Sequence, residues 1–445
     1  MVSHIAASIR PICAAKFVDS ATIEKRMKCC LLQVDCMIKI PPQLAKQKIT
    51  VWHDAPVVTE EHTTHGATIE FPDSSRQKLW YKVPAQFTTL VTASADPFVV
   101  GSIFLAMERS VDLVIHGQVS PSLLRNLIDF QNAWFSWCPD KYGRGEISAD
   151  IESETEPAEP AGKAICAFSS GLDSWFTIYR HHFVPMGRQK RDIAAALLIQ
   201  GFDISTDDDD AFKRLTDRSR SVLNAADIPL ITISTNFKQI NPLWIHSHGA
   251  GLVSSLMLFQ KQFTEGLIAS TYPLSQLLLP WGSNPLTDPY LTSRAFAVVH
   301  DAAHWPRIDK LQALANWPEA YDNLSVCYSN TRKDENCCRC GKCVMTMLLA
   351  SICQLKAPKS FPVPLTAQLL LSLRDMEDFE LFGMDEFIPL VRASSLPKPL
   401  VDALARCIKF NQRRSALQRL NAKTGWTTVG KVVQRLHKHA GIYLP

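Results

Sequence analysis

The chain has 445 residues, of which 46% are apolar and 20% charged, a composition that excludes disordered, fibrous and collagen-like proteins. A formal net charge of +4 does not by itself argue for a nucleic-acid partner, and no run of about 18 apolar residues marks a membrane span. The length favours two or three domains.

Residues 1–20 lack a basic flank followed by an unbroken apolar stretch, so a cytoplasmic protein is expected. Strand-like runs begin at Lys48 (KITVW) and cover 111–115, with helices expected at 97–110 and 120–137. Together they describe an N-terminal α/β accessory domain over residues 1–147. Residues 148–162 read as an acidic linker, where Glu152, Glu154, Glu156 and Glu159 are set among small residues with Pro157 and Pro160.

From Ala164 onward strand and helix alternate. The apolar runs AICAF, AAALLIQ ending near Gly201, IPLITIS and GLIAS at 266–270 are separated by helical patterns starting near Asp173, Asp208 and Ser247. Alternation with short connections predicts an α/β fold, a parallel sheet with helices on both faces, over residues 163–350. A helical, basic C-terminal region covers 351–445. It contains no acidic residue after Asp402, while Arg406, Lys409, Arg413, Arg414, Arg419, Lys423, Lys431, Arg435 and Lys438 follow. Such a tail suits a solvated helical face, a dock for the acidic linker, or a contact for RNA or DNA phosphates.

Between the first run and its helix lie Ser169, Ser170, Gly171, Leu172, Asp173 and Ser174. Backbone N–H groups and the positive end of a helix make such a turn an anion site, and the serines add hydroxyl donors. Gly171 permits close approach or a positive φ, and Asp173 is an N-cap candidate. A Ser/Gly turn with an Asp cap also joins strand to helix for purely structural reasons. No Gly-Lys-Ser/Thr follows, so this is not the Walker-type loop.

Cys337, Cys340 and Cys343 stand at two-residue separations, with Cys327 ten positions upstream. Thiolates so spaced converge on one ion, and four of them leave a tetrahedral zinc no open position, which makes the site structural. An iron–sulfur cluster is the alternative. Cys338 reads as a bystander, and Cys166, Cys353 and Cys407 as small buried hydrophobes.

SSGLDS resembles the SGGxDS signature of the PP-loop family of N-type ATP pyrophosphatases, with Ser170 where the family usually has glycine. The resemblance implies an adenine nucleotide alpha hydrolase-like fold, ATP with Mg2+, and cleavage between the α and β phosphates. With Cys-Tyr and Cys-x-x-Cys-x-x-Cys downstream, residues 164–349 resemble QueC, the 7-cyano-7-deazaguanine synthase family. That implies adenylation of the carboxylate of 7-carboxy-7-deazaguanine and displacement of AMP by nitrogen, giving an amide or a nitrile. The N-terminal region and basic tail are absent from typical QueC enzymes. They resemble the enlarged branch of anti-phage systems such as Qat, with its QatC component, and type IV CBASS, where the acceptor is a protein or a larger molecule and co-encoded defence proteins are partners. A PP-loop tRNA-modifying ligase or thiolase and a non-catalytic nucleotide-binding subunit are the rival readings.

Further candidates lie in loops. Asp203 follows the second strand, where open α/β sheets bind ligands, and is a nucleotide or substrate contact. The run Asp207 to Asp210 reads as a solvated helix start. His246 and His248 flank Ser247 before a helix. After the fourth strand, Ser283, Asn284, Asp288, Ser293 and Arg294 form a polar loop, with Asp288 suited to a guanidine-like edge and Arg294 to phosphate. His300, Asp301, Arg307 and Lys310 complete the candidates.

Overall fold

Strand β7 (Lys163–Phe168) sends Ile165 and Ala167 to one side of a sheet and Ala164, Cys166 and Phe168 to the other, and both sets are buried. A strand buried on both faces reads as a continuous apolar run because both sides carry a helical layer. In the computed structural model, which describes residues 47–241, 243–277, 280–327, 329–374, 376 and 387–424 with side chains to 418, β7 lies inside an 11-stranded sheet. Its parallel neighbours are β8 (Asp192–Gln200) and β10 (Glu265–Ala269), with β9 (Leu230–Thr235) beyond β8 and β11 (Ala297–Asp301) beyond β10.

The order β11-β10-β7-β8-β9 places a topological switch beside β7: the chain first winds outward through β8 and β9, then returns to the other side. Ligands of open α/β sheets bind in the crevice at the carboxyl ends of strands at such a switch. Helices α3 (Leu172–Phe183) and α4 (Asp209–Asn224) pack on one face through Trp175, Ile178, Leu215 and Leu223. Helix α6 (Trp244–Met257) packs on the other through Val253 and Leu256. Asp208 caps α4 by accepting from the Ala211 N–H, so the acidic run begins a helix as its charge pattern indicated.

The sheet does not stop at β9. Strand β4 (Arg76–Pro84) pairs with it antiparallel, matching Tyr81 to Thr235 and Lys82 to Ser234, and β3 (His62–Glu70), β1 (Lys48–His53), β5 (Asp112–Val119) and β6 (Ile147–Glu152) follow. Strand β2 (Val57–Val58) pairs with β3. The apolar core under β1, β4 and β5, covered by α1 (Asp96–Arg109) and α2 (Pro121–Trp137), is continuous with the core under β7 and α6. The Tyr81 hydroxyl donates to Ser254 Oγ at 2.8 Å across the junction. The boundary expected at 148–162 thus falls within a continuous sheet, and the linker begins as edge strand β6. Its Glu154 accepts from the N–H and hydroxyl of Ser122 at the start of α2 (3.0 and 2.8 Å), where a carboxylate suits the helix dipole.

Gly201, directly after β8, adopts φ +101°, and a Cβ there would meet Thr235 O at 1.9 Å. Gly201→Ala is expected to destabilise the protein by roughly 2–4 kcal/mol, read as a lower urea midpoint at unchanged m-value.

Downstream lie the short α5 (Phe237–Ile240), then α7 (Arg307–Leu314), α8 (Pro318–Asp322), α9 (Gly341–Ile352), α10 (Ala367–Ser372), α11 (Phe387–Ala393) and α12 (Lys398–Thr424). On α12, Arg406, Lys409 and Arg413 are exposed. Lys431, Arg435, Lys438 and residues 1–46 lie outside the described residues. Among those described, no helix is long and apolar enough to cross a membrane.

Candidate functional site

The turn after β7 is folded by its own serines. The Ser169 N–H donates to Ser174 Oγ (3.3 Å), the Gly171 N–H to Ser169 Oγ (3.3 Å), and Ser174 Oγ to Gly171 O (3.1 Å). Gly171, not Asp173, is the N-cap of α3. Asp173 is the second residue inside the helix, and its carboxylate is bonded instead to Arg307 Nη2 at 2.9 Å and Lys310 Nζ at 3.0 Å, both from α7. Lys310 is fully buried and also donates to Ser270 O. Burial pushes the Asp173 carboxyl up, but Arg307 and Lys310 outweigh it and hold the group below the usual carboxylate range.

Ser170 takes φ +60°, the left-handed region that favours glycine. Its hydroxyl points away from the cleft, donating to Asn323 O (3.3 Å) and accepting from Trp175 Nε1 (3.2 Å), while its carbonyl accepts from the Ser325 N–H (2.8 Å). These bonds offset the cost of a serine in that conformation.

The loop opens onto a cleft of about 560 Å³ at the carboxyl ends of β7, β8 and β10. Ser169, Gly171, Leu172, Asp173 and Ser174 form one wall. An aromatic wall opposes open solvent: Phe202 lies 4.7 Å from Trp244, His248 5.3 Å from Trp281, and Trp281 5.2 Å from Tyr272, with the Lys238 ammonium 5.1 Å over the Trp244 ring. Burial lowers the pKa of His248, which keeps this part of the wall neutral. The charged lining residues among those described are Lys238, Arg307, Lys333 and Lys342 against Asp173 and the exposed Asp203, an excess of positive charge.

A third wall comes from the cysteine segment through Ser325, Val326, Cys327, Gly341 and Lys342. The sulfur atoms of Cys327, Cys337, Cys340 and Cys343 lie within 4.8 Å of one another, with Cys327 to Cys340 at 3.8 Å and Cys337 to Cys343 at 3.9 Å. A tetrahedral ion with Zn–S bonds of ~2.3 Å requires S···S edges of ~3.8 Å, whereas a disulfide requires ~2.05 Å. The donor set and its spacing fit a four-thiolate metal such as zinc. The N–H groups of Arg339 (3.4 Å) and Cys340 (3.2 Å) donate to Cys337 Sγ, which stabilises a thiolate. Cys338, at φ +56°, turns its sulfur to Asn336 O and stays outside the cluster. Cys166 and Cys407 are buried, and Cys353 is half-buried. Asp334, 2% exposed, anchors the segment to α4 through Arg214 (3.0 and 2.9 Å) and Arg218.

Two expected contacts do not reach the cleft. Asp288 is fully buried, its carboxylate accepting from Ser283 Oγ (2.7 Å) and the Asn284 N–H (3.0 Å) and pairing with His300 Nδ1 (2.7 Å), so it shapes its own loop. Arg294 is exposed just before β11, at the end of the sheet opposite the cleft, where its N–H donates to Ser122 Oγ. Nor does His246 face the cleft: it pairs with Tyr142 (2.8 Å), and burial pulls its pKa down to about 4. Asp301 is engaged by Thr177, Arg180 and His181 of α3. Asp203 and His248 do line the cleft. The feature least visible in the sequence is the cation pair on Asp173, whose only local signal is two bases one helical turn apart at the start of α7. The chain matches no protein-family model, no curated protein and no solved structure.

Proposed function

We propose that the cleft binds ATP, with residues 169–174 holding its polyphosphate, and that the chain is a QueC-like PP-loop ligase. The observation that carries this reading is convergence: a serine-rich turn at a helix N-terminus opens, at the switch beside β7, onto a cleft with a cationic lining. Free N–H groups in the first turn of α3 and the Arg307 guanidinium suit phosphate oxygens, and the aromatic wall suits a planar base. Mg2+ accompanies ATP; of the two described carboxylates in the lining, Asp173 is taken by cations and Asp203 is open to it.

In this reaction an oxygen of the acceptor carboxylate attacks the α phosphorus, the bond to the bridging oxygen breaks, and pyrophosphate leaves. A nitrogen nucleophile then attacks the acyl carbon and expels AMP. The cationic lining offsets the charge that develops on pyrophosphate. The acceptor is the carboxylate of 7-carboxy-7-deazaguanine or a related deazapurine, or that of a protein, as in the anti-phage branch. Four reduced thiols around zinc suit the cytoplasm.

The saturation of Asp173 by two cations favours a second reading, a subunit that binds nucleotide without turning it over. Incubation of the protein with ATP, Mg2+ and candidate acceptors separates the two. AMP and pyrophosphate in equal amounts are expected; ATP binding without AMP for any acceptor would replace the catalytic reading by the subunit.

A further inference from the structure

Ser170 is bonded to the metal segment at two points: its carbonyl accepts from the Ser325 N–H and its hydroxyl donates to Asn323 O. The same hydroxyl accepts from Trp175 Nε1 of α3, which fixes its direction. The strip 323–327 is clamped from its other side by Asn336, which precedes Cys337. Asn336 Oδ1 accepts from the Val326 N–H (2.9 Å), and Nδ2 donates to Leu324 O (2.8 Å) and Ser360 O (3.2 Å). The strip ends at Cys327, itself a member of the four-sulfur cluster and of the cleft wall.

The backbone of the phosphate loop therefore hangs on a strip held by Asn336 and, at its far end, by the gathering of the four sulfurs. Two features make this a positioning device rather than ordinary packing. Ser170 sits in a backbone conformation that serine adopts at a cost, so its native angle depends on partners outside the loop. Two of those partners are backbone atoms of the strip, whose first residue, Asn323, caps α8 and whose residues 324–327 lie in neither helix nor strand.

We infer that the cysteine module sets the geometry of the phosphate loop, with Asn336 and Ser170 as positioning residues, so that metal occupancy controls affinity for nucleoside triphosphates. The inference rests on the reading of residues 169–174 as the ATP site. It assigns the serine at position 170 a task that glycine does not perform, because its hydroxyl is one of the bonds between loop and strip.

The test is calorimetric titration of ATP into four forms of the full chain: zinc-loaded, chelator-treated, Asn336→Ala loaded with zinc, and Ser170→Gly loaded with zinc. ATP binding about tenfold or more weaker is expected in each of the last three, with zinc content of the two variants unchanged by elemental analysis and helix content retained. Re-adding zinc to the chelated protein restores affinity, and Trp175 fluorescence shifts with it. The double variant Asn336→Ala, Ser170→Gly loses little more than either single variant, because both cut the same connection. If zinc-loaded Asn336→Ala binds ATP as tightly as the parent, or if the two losses add, the inference fails even though the loop binds ATP. If the zinc-loaded parent binds no ATP, the reading of the site fails and the inference with it.

Discussion

Replacing Asp173 with alanine is expected to lower stability by ~3–5 kcal/mol and to abolish ATP binding. The stability loss arises from the partner rather than from the aspartate. Lys310 is fully buried, and its ammonium is bonded to Asp173 and to Ser270 O. Without the carboxylate, a buried ammonium is left with one neutral acceptor, and the protein must distort to hydrate it. Asp173→Ala with Lys310→Met removes both charges and is expected to recover most of the stability, while ATP binding stays lost because Arg307 is no longer held at the cleft. Chemical denaturation of the three proteins at pH 7 gives the comparison; equal stability of Asp173→Ala and parent would mean that the pair contributes nothing.

The same pair sets a pH dependence whose sign is fixed. The Asp173 carboxyl lies lower in the folded chain than in the unfolded one, since Arg307 and Lys310 overcome the opposing effect of burial. Its contribution is therefore fully present above the unfolded value of ~3.9 and is lost as pH falls through the folded value. Asp301 shifts in the same direction, burial again being outweighed, here by His181 and Arg180. The parent should lose stability more steeply than the double variant as pH falls below about 4, because the double variant lacks the depressed Asp173 carboxyl.

What could be read in the sequence was what is local. Strands β7, β8, β9 and β10 are buried on both faces, so they appear as apolar runs between turns; β11, with the sequence AVVHD, is short and polar at its end and gives no such signal. The four cysteines and the serine loop are legible because their spacing is the geometry. Arg307 and Lys310 stand out only as a basic pair, and their bond to Asp173 is not legible because that partner lies 134 and 137 residues away. The β4–β9 pairing joins segments about as distant, and no alternation pattern announces a neighbour across an edge. Alternating glutamates around residue 152 look like a linker for a physical reason: β6 is an edge strand whose last three residues are exposed. The polar loop at 283–294 does not reveal that the Asp288 side chain turns inward to hold the loop itself, or that Arg294 stands exposed at the far end of β11.

If the four sulfurs hold a metal, its removal is expected to have the largest effect of all. The segment 323–340 contains no strand and no helix among its described residues, so its shape depends on the four sulfurs, on Asn336, and on Asp334 with its arginines. Structural zinc contributes ~10–16 kcal/mol to the folding of small zinc-finger peptides. Here the sheet and the core between β1 and α6 contain no residue of the module and are expected to persist without it, so the loss is expected in the segment, the first turn of α9, the cleft wall they form and the edge of the second core where Cys327, Cys338 and Cys343 pack. Hydrogen exchange should show protection lost in 323–345 on chelation while β7 and β8 stay protected, with a thermal transition split into a low step for the module and a high step for the sheet. Cys343→Ser, at a fully buried ligand, should abolish the single equivalent of metal, whereas Cys338→Ser, whose sulfur faces Asn336 O instead of the cluster, should keep it. Elemental analysis distinguishes zinc from iron, and strong visible absorption would mark an iron–sulfur cluster. A chelated chain whose 323–345 exchange is unchanged would show that the hydrogen bonds of Asn336 and Asp334 hold the module alone, and the close sulfur spacing would then need a different cause.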